Sequence, residues 1–354
     1  MSTVLIIGVG DMGERLAAGL AAEAGVRRLV LAGRSQATVA AAAAGIASSS
    51  DCLVEAVRLD AERVDDVAEL LVRTAPDLVV QCAALRSPWA LAGREDEVAR
   101  GIIAAGLALR LPYQLPVVLA VMRAAQLAGY SGPVANLSFP DVTGPILRSQ
   151  GLAPTLGLGN AGMVLRRVRA ALRTAEPGAE PPLVRILGQH AQVFDVMQAR
   201  EPADPEDRCR VYLDEDGRRE DALAYRAPAL EPGVRYNPVT AAAALPVLGA
   251  LLPGAAPLRW STPAPLGLPG GYPVRIANGS VALDLPPGLT VDQAVAFNER
   301  MGRGDGVERI DEDGTVHFTP ACREAVADFA PDLAEPLAVG EMAARAARLD
   351  ALLG

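Results

Sequence analysis

The sequence predicts an α/β protein in two parts: a doubly wound parallel sheet over residues 1–150, then an α+β substrate-binding domain with antiparallel hairpins over residues 151–354. Three observations carry that prediction. Short apolar β-rich runs alternate with helical repeats through the first part, the order that a helix-flanked parallel sheet requires. A glycine-rich turn, Gly8-Val9-Gly10-Asp11-Met12-Gly13, joins the first run to the first repeat. Past residue 150 the dipeptides Asp216-Gly217, Asn278-Gly279 and Asp313-Gly314 sit between strand-like residues, as in hairpins.

Thr3 to Ile7 reads as the first strand, and Met12, Leu16 and Leu20 stand at helical spacing behind it, with Gly25 closing that helix. Leu29 to Leu31 and Val54 to Leu59 are the next strands. Asp60 stands where an N-cap would precede Val64, Val67, Leu70 and Leu71. Leu78 to Gln81 follows the Pro76-Asp77 turn, and helical stretches over Glu95 to Leu109 and Pro116 to Gly129 lead to a strand at Val134 to Leu137. In the second part a β-like run, Leu183 to His190, contains Gly188, a sign of close backbone approach. Helices are expected near Asn237 to Leu252, Thr290 to Met301 and Val339 to Leu353, and linkers at Glu176 to Pro182 and Arg200 to Asp207.

Composition narrows the function. The chain is 51% hydrophobic with 4% aromatics, so Ala-rich helices packed closely on a sheet are expected. No run reaches the roughly 20 uninterrupted apolar residues of a membrane span. The run Val4 to Ile7 leads straight into the glycine turn, which makes it a strand and not a signal peptide; a cytoplasmic address is expected. Cys52, Cys82, Cys209 and Cys322 lie far apart without metal-ligand spacing, so reduced thiols and no metal site are expected. With a net charge of −9 and scattered arginines, nucleic acid is not an expected partner. The Ala-rich stretches Val39 to Ile46 and Asn237 to Leu252 could pack across an interface, and a homo-oligomer is expected.

The glycine turn is the Rossmann dinucleotide fingerprint in its required context, between a strand and a helix. Gly8 permits the tight turn, Gly10 lets the backbone approach a pyrophosphate, and Gly13 allows close helix packing; Asp11 and Met12 open the helix whose N-terminus faces the anion. The second strand ends in Gly33-Arg34-Ser35, where an NAD enzyme usually carries an acid for the ribose 2′-hydroxyl. A guanidinium and a serine hydroxyl suit a 2′-phosphate instead, so NADP is expected over NAD. Asp60, after the third strand, and Ala83 and Ala84, after the fourth, complete the expected cofactor contacts.

Hydride transfer at a carbonyl or carbinol carbon needs a proton donor or acceptor, commonly histidine. The chain has two. His317, beside the Asp313-Gly314 turn, reads as a surface or packing residue, which leaves His190.

Around His190 the sequence resembles the lactate/malate dehydrogenase family, in four features that come in matching order. These are the glycine turn; Ala84-Leu85-Arg86-Ser87-Pro88, similar to the Pro-Arg-x-Pro start of a mobile loop; Val134-Ala135-Asn136 with Pro140-Asp141-Val142, similar to an Asn-Pro-Val-Asp segment; and Gly188-Gln189-His190-Ala191, similar to Gly-x-His-Gly. Arg166 stands ahead of His190 at close to the family's spacing. The resemblance implies that His190 exchanges the proton, Arg166 forks onto a substrate carboxylate, Arg86 assists from the loop, and Asn136 orients substrate and nicotinamide. It also implies a small-molecule substrate, with a carboxylate.

The departures are informative. The family's aspartate partner of the histidine is here Met163, so another acid, such as Asp195 or Asp141, would have to support the imidazolium. Leu137-Ser138-Phe139 interrupts the Asn-Pro pair, and Ala191 replaces a glycine. Two alternatives stay open: an NADP-dependent imine or amino-acid reductase of the opine or saccharopine kind, and a non-catalytic NADP-binding sensor or scaffold.

Overall fold

The computed structural model describes residues 2–23 and 25–354. The first part runs β1 (Ser2–Ile7), α1 (Asp11–Ala21), β2 (Val26–Gly33), α2 (Gln36–Ala47), β3 (Leu53–Arg58), α3 (Val64–Thr74), β4 (Leu78–Gln81), α4 (Glu97–Ala104), α5 (Leu111–Leu127), β5 (Val134–Asn136), α6 (Pro140–Ser149) and β6 (Leu156–Gly157). The six strands form one parallel sheet in the order β3-β2-β1-β4-β5-β6. The order reverses beside β1, and a crevice at that point is where an open α/β sheet binds its ligand. The sheet runs past residue 150, since β6 lies at Leu156–Gly157.

β1 is buried on both faces. Val4 and Ile6 enter one apolar core with Leu16, Leu20 and Val164, while Leu5 and Ile7 enter the other with Val67, Leu71 and Val118. Such a strand must read as a continuous apolar run, and it does. Leu107–Leu127 has the length and hydropathy of a membrane span, but 83% of its most apolar window is buried, and α5 packs on α3 and on the C-terminal helix.

The second part contains α7 (Asn160–Ala175), β7 (Val184–Leu187), α8 (His190–Met197), β8 (Arg210–Leu213), β9 (Arg218–Arg219), α9 (Asn237–Leu251), β10 (Leu258–Pro263), β11 (Gly271–Ala277), β12 (Ser280–Leu283), α10 (Val291–Gly302), β13 (Val307–Ile310), β14 (Val316–Phe318), α11 (Pro320–Val326) and α12 (Met342–Leu353). All three dipeptide turns join antiparallel strands: β8 to β9, β11 to β12 and β13 to β14. Gly188 bridges to Gly271 and so ties β7 to β11.

Several boundaries differ from the sequence expectation. The first helix ends at Ala21, ahead of Gly25. Asp60 is not the cap of α3, which starts at Val64 behind Arg63; its carboxylate accepts from Glu62 N in the preceding turn, at 3.2 Å. α6 was not foreseen, because Pro140, Gly144 and Pro145 give it the composition of a loop. The run ending at His190 stops being a strand at Leu187, and His190 is the first residue of α8, where Gln189 and Gln192 form a reciprocal capping box. The Ala-rich α9 packs against α1 and α7 within the chain, so of the two stretches expected at an interface only α2 keeps a mostly exposed face.

Candidate active site

β1 ends at Ile7, and the chain turns through Gly8 at φ +98°, a conformation that favours glycine. A Cβ on Gly8 would lie 2.5 Å from Ala83 N, and one on Gly13 would lie 2.0 Å from Gly8 O, so both positions are closed to side chains. Gly10 is different: a Cβ there meets nothing within 4 Å. It would stand in an open cleft of about 910 Å³ that runs along the carboxyl ends of the strands. Gly10 caps α1 without a side chain, leaving first-turn amides for an anion. Asp11, beside them, is drawn aside by Arg15 at 2.9 Å and Asn237 at 2.7 Å, and the Arg15 hydrogen bond holds its carboxyl below the usual range.

Every residue expected to touch the cofactor lines this cleft: Gly8, Gly10, Asp11, Met12 and Gly13 at the turn, Gly33, Arg34, Ser35 and Asp60 at one end, and Ala83 and Ala84 towards the middle. Ser35 caps α2 by accepting from Thr38 N. Arg34 is exposed and makes no ion pair among the described residues, so its guanidinium is available to a 2′-phosphate beside the amides of α2. An Arg34→Ala variant is expected to weaken NADPH binding roughly 10–100-fold, the loss of one or two charge-assisted hydrogen bonds, and to leave NADH nearly unchanged. Titrating both nucleotides by fluorescence checks this.

At the opposite end of the cleft stands His190. Its Nδ1 lies 2.8 and 3.0 Å from the two carboxylate oxygens of Asp305, which precedes β13. A carboxylate only accepts, so Nδ1 carries the hydrogen and Nε2 is the nitrogen left for chemistry. Phe139 and Phe194 meet the imidazole edge-on, at 5.2 and 5.9 Å between centroids, and fix its plane. Burial disfavours the imidazolium, but the Asp305 carboxylate and the charge of Asp141 outweigh it, and the pKa of His190 is raised from its ordinary value.

Asp141 lies behind the histidine. One of its oxygens accepts from His190 N at 2.9 Å and the other from Asn160 Nδ2. Burial pushes its carboxyl up to about 6, against the pull of His190 and Asn160. Phe139 and Asn160, both lining the cleft, have positive φ values of 42° and 28°; strained backbone of this kind persists where the surroundings over-determine it. Asp195, the other acid considered for His190, does not line the cleft.

Three sequence-predicted residues are placed elsewhere. Arg166 does not line the cleft; it lies one turn further along α7 than Met163, the last residue of that helix to do so. Arg86 turns to the C-terminal helix, pairing with Asp350 at 2.9 Å and lying over the Tyr113 ring. Asn136 is buried, its amide donating to Thr143 and Ser138 O while its oxygen accepts from Ser138 N, so it shapes the turn into α6. His317 is in the β13–β14 hairpin and donates from Nε2 to the Asp311 carboxylate at 2.7 Å, away from the cleft.

Two residues that sequence reasoning missed line the cleft near His190. Asp305 is the partner of the imidazole. Arg110, in the turn ahead of α5, lines the cleft and donates from Nη1 to Pro88 O at 2.9 Å, while its buried Nε has no partner among the described residues. Burial lowers its pKa from the ordinary value, with Asp305 opposing.

Comparison with known proteins bears on the first part of the chain. Residues 4–90 match the saccharopine dehydrogenase NADP binding domain, and that span contains the glycine turn, Gly33-Arg34-Ser35, Asp60, Ala83 and Ala84. The N-terminal part is an NADP-binding domain. Solved structures with the same overall fold include a lactate dehydrogenase from a Medee basin deep-sea metagenome library, at 13% identity and TM-score 0.53 over 86% of this chain and 96% of that one. A malate dehydrogenase from Archaeoglobus fulgidus, solved with NADH, aligns over 86% and 96% at 14% identity and TM-score 0.52. One from Plasmodium falciparum, also with NADH, aligns over 95% and 100% at 12% identity and TM-score 0.52. No curated protein sequence matches the chain. The chain thus shares the overall fold of these structures, and residues 4–90 carry the NADP-binding match.

Proposed function

We propose that this protein is an NADP-dependent oxidoreductase that transfers a hydride between nicotinamide and the carbonyl or hydroxyl carbon of a small carboxylate-bearing substrate. The observation that carries this reading is the His190–Asp305 pair, which opens into the same cleft as the phosphate turn. NADPH, when bound, supplies the hydride. His190 Nε2 then gives its proton to the oxygen as charge develops there, and Asp305 steadies the imidazolium and fixes its orientation. Arg110, whose charge has no carboxylate within ion-pairing distance among the described residues, holds the substrate's carboxylate.

The same pair serves an imine carbon, with the proton going to nitrogen, and the match of residues 4–90 to a saccharopine dehydrogenase domain favours that second reading. Following NADPH oxidation with 2-oxo acids, with and without ammonia or an amine donor, separates the two. Arg110→Ala is expected to raise KM for the acid roughly 10–100-fold, whereas Arg166→Ala shifts it less than about twofold. Equal effects from both would remove Arg110 from the role. Turnover that survives His190→Ala unchanged would leave a nucleotide-binding protein without this chemistry.

A further inference from the structure

Aromatic residues are scarce in this chain, with two Trp, six Tyr and five Phe in 354 residues. Yet every aromatic ring contact among the described residues belongs to one cluster, and that cluster lines the cleft. Trp89 meets Phe194 edge-on at 6.4 Å and Tyr236 edge-on at 6.0 Å, and Phe194 lies tilted on Tyr236 at 6.0 Å. The three come from separate places: the loop after β4, helix α8, and the turn ahead of α9. Phe194 also touches the His190 ring.

Tyr236 is a buried core residue, 3% exposed, but core packing does not account for its two partners. Tyr272 and Phe318, which are core aromatics, are 0% and 1% exposed, whereas Phe194 is 37% exposed and Trp89 only half-buried. Both present open ring surface to the cleft beside the proton donor. The cluster is also tied to the candidate anion site, because Arg110 donates to the carbonyl of Pro88, the neighbour of Trp89.

The charges around the cluster indicate what it receives. Of the acids lining the cleft, Asp11 is paired with Arg15, Asp305 is held by His190, and Asp60 and Glu62 lie at the far, nucleotide end. None is left to draw a cation onto the rings. An uncharged apolar surface between a cationic anchor and a proton donor fits a neutral, bulky group.

We propose that Trp89 and Phe194, backed by the buried ring of Tyr236, form the subsite for the substrate's side chain, and that the substrate is a carboxylic acid bearing a large apolar or aromatic group next to its reacting carbon. This rests on the oxidoreductase reading above and narrows it. Small acids of two to four carbons leave the rings uncovered and are poor substrates.

The test is the NADPH-dependent kcat/KM of the full-length protein for pyruvate, oxaloacetate, 4-methyl-2-oxopentanoate, phenylpyruvate, indole-3-pyruvate and the cationic 5-guanidino-2-oxopentanoate, each with and without ammonia. Phenylpyruvate or indole-3-pyruvate is expected to exceed pyruvate by about tenfold or more. In Trp89→Ala the ratio of the aryl acid to pyruvate collapses towards one, and in Trp89→Phe it is kept. Preference for pyruvate or oxaloacetate, preference for the guanidino acid, or an equal loss for all acids in Trp89→Ala each overturns the proposal.

A second readout does not depend on turnover. Phenylpyruvate is expected to quench the tryptophan fluorescence of the NADP-loaded protein, and to do so far less in Trp89→Phe. Quenching without turnover would leave the subsite standing and remove the oxidoreductase reading. Turnover without a size preference would do the reverse.

Discussion

Asp305→Asn is expected to lower the rate of NADPH-dependent reduction by about 10²–10⁴-fold while leaving the affinity for NADP and the melting temperature close to those of the parent protein. Asparagine has the shape of aspartate and can still accept from Nδ1, so the imidazole keeps its place. What it lacks is the charge that holds the His190 pKa up. Reduction needs the protonated imidazole. In the parent protein the activity therefore persists below the raised pKa of His190 and falls as pH climbs through it. Without the carboxylate the fall begins at lower pH, and the oxidative direction, which needs the neutral ring, switches on at lower pH too. Rate–pH profiles in both directions check this. Profiles that superimpose for the two proteins would mean that Asp305 does not govern the proton.

Gly10→Val is the second large effect. The backbone at Gly10 is extended, with φ −93° and ψ −168°, so valine fits it without strain. A side chain there meets no protein atom within 4 Å and projects into the cleft where a pyrophosphate would approach the α1 amides. The fold should survive and the cofactor should not: NADPH affinity is expected to fall by about 100-fold or more, with an unchanged unfolding curve. Gly13→Ala provides the contrast. Its Cβ would lie 2.0 Å from Gly8 O, so it disrupts the β1–α1 turn itself and lowers stability along with binding. Tight NADPH binding by Gly10→Val would place the nucleotide elsewhere.

The cofactor half of the molecule was legible in the sequence because its signals are local. Val4 to Ile7 is apolar on both faces because the central strand is buried on both, and the glycines follow it directly. The second half of the candidate site was legible only where a motif is continuous, as at Gly188-Gln189-His190. Asp305 reaches His190 from a turn 115 residues away, and no periodicity records such a pairing. Arg110 falls just past the helical stretch Glu95 to Leu109, in the apolar run Leu107-Ala108-Leu109-Arg110-Leu111, where no motif singles it out. Arg166 was placed on the correct helix but beyond the residue at which that helix leaves the cleft. His190 read as the end of a strand because α8 is capped by glutamines, a weaker start signal than serine or aspartate.

The source of Asp305 also ties the imidazole to a remote stretch of the fold. The acid stands 115 residues further along the chain than His190, directly ahead of the β13–β14 hairpin. Loosening that hairpin would part the two side chains while leaving the glycine turn after β1 intact, so nucleotide binding and proton handling can be lost separately.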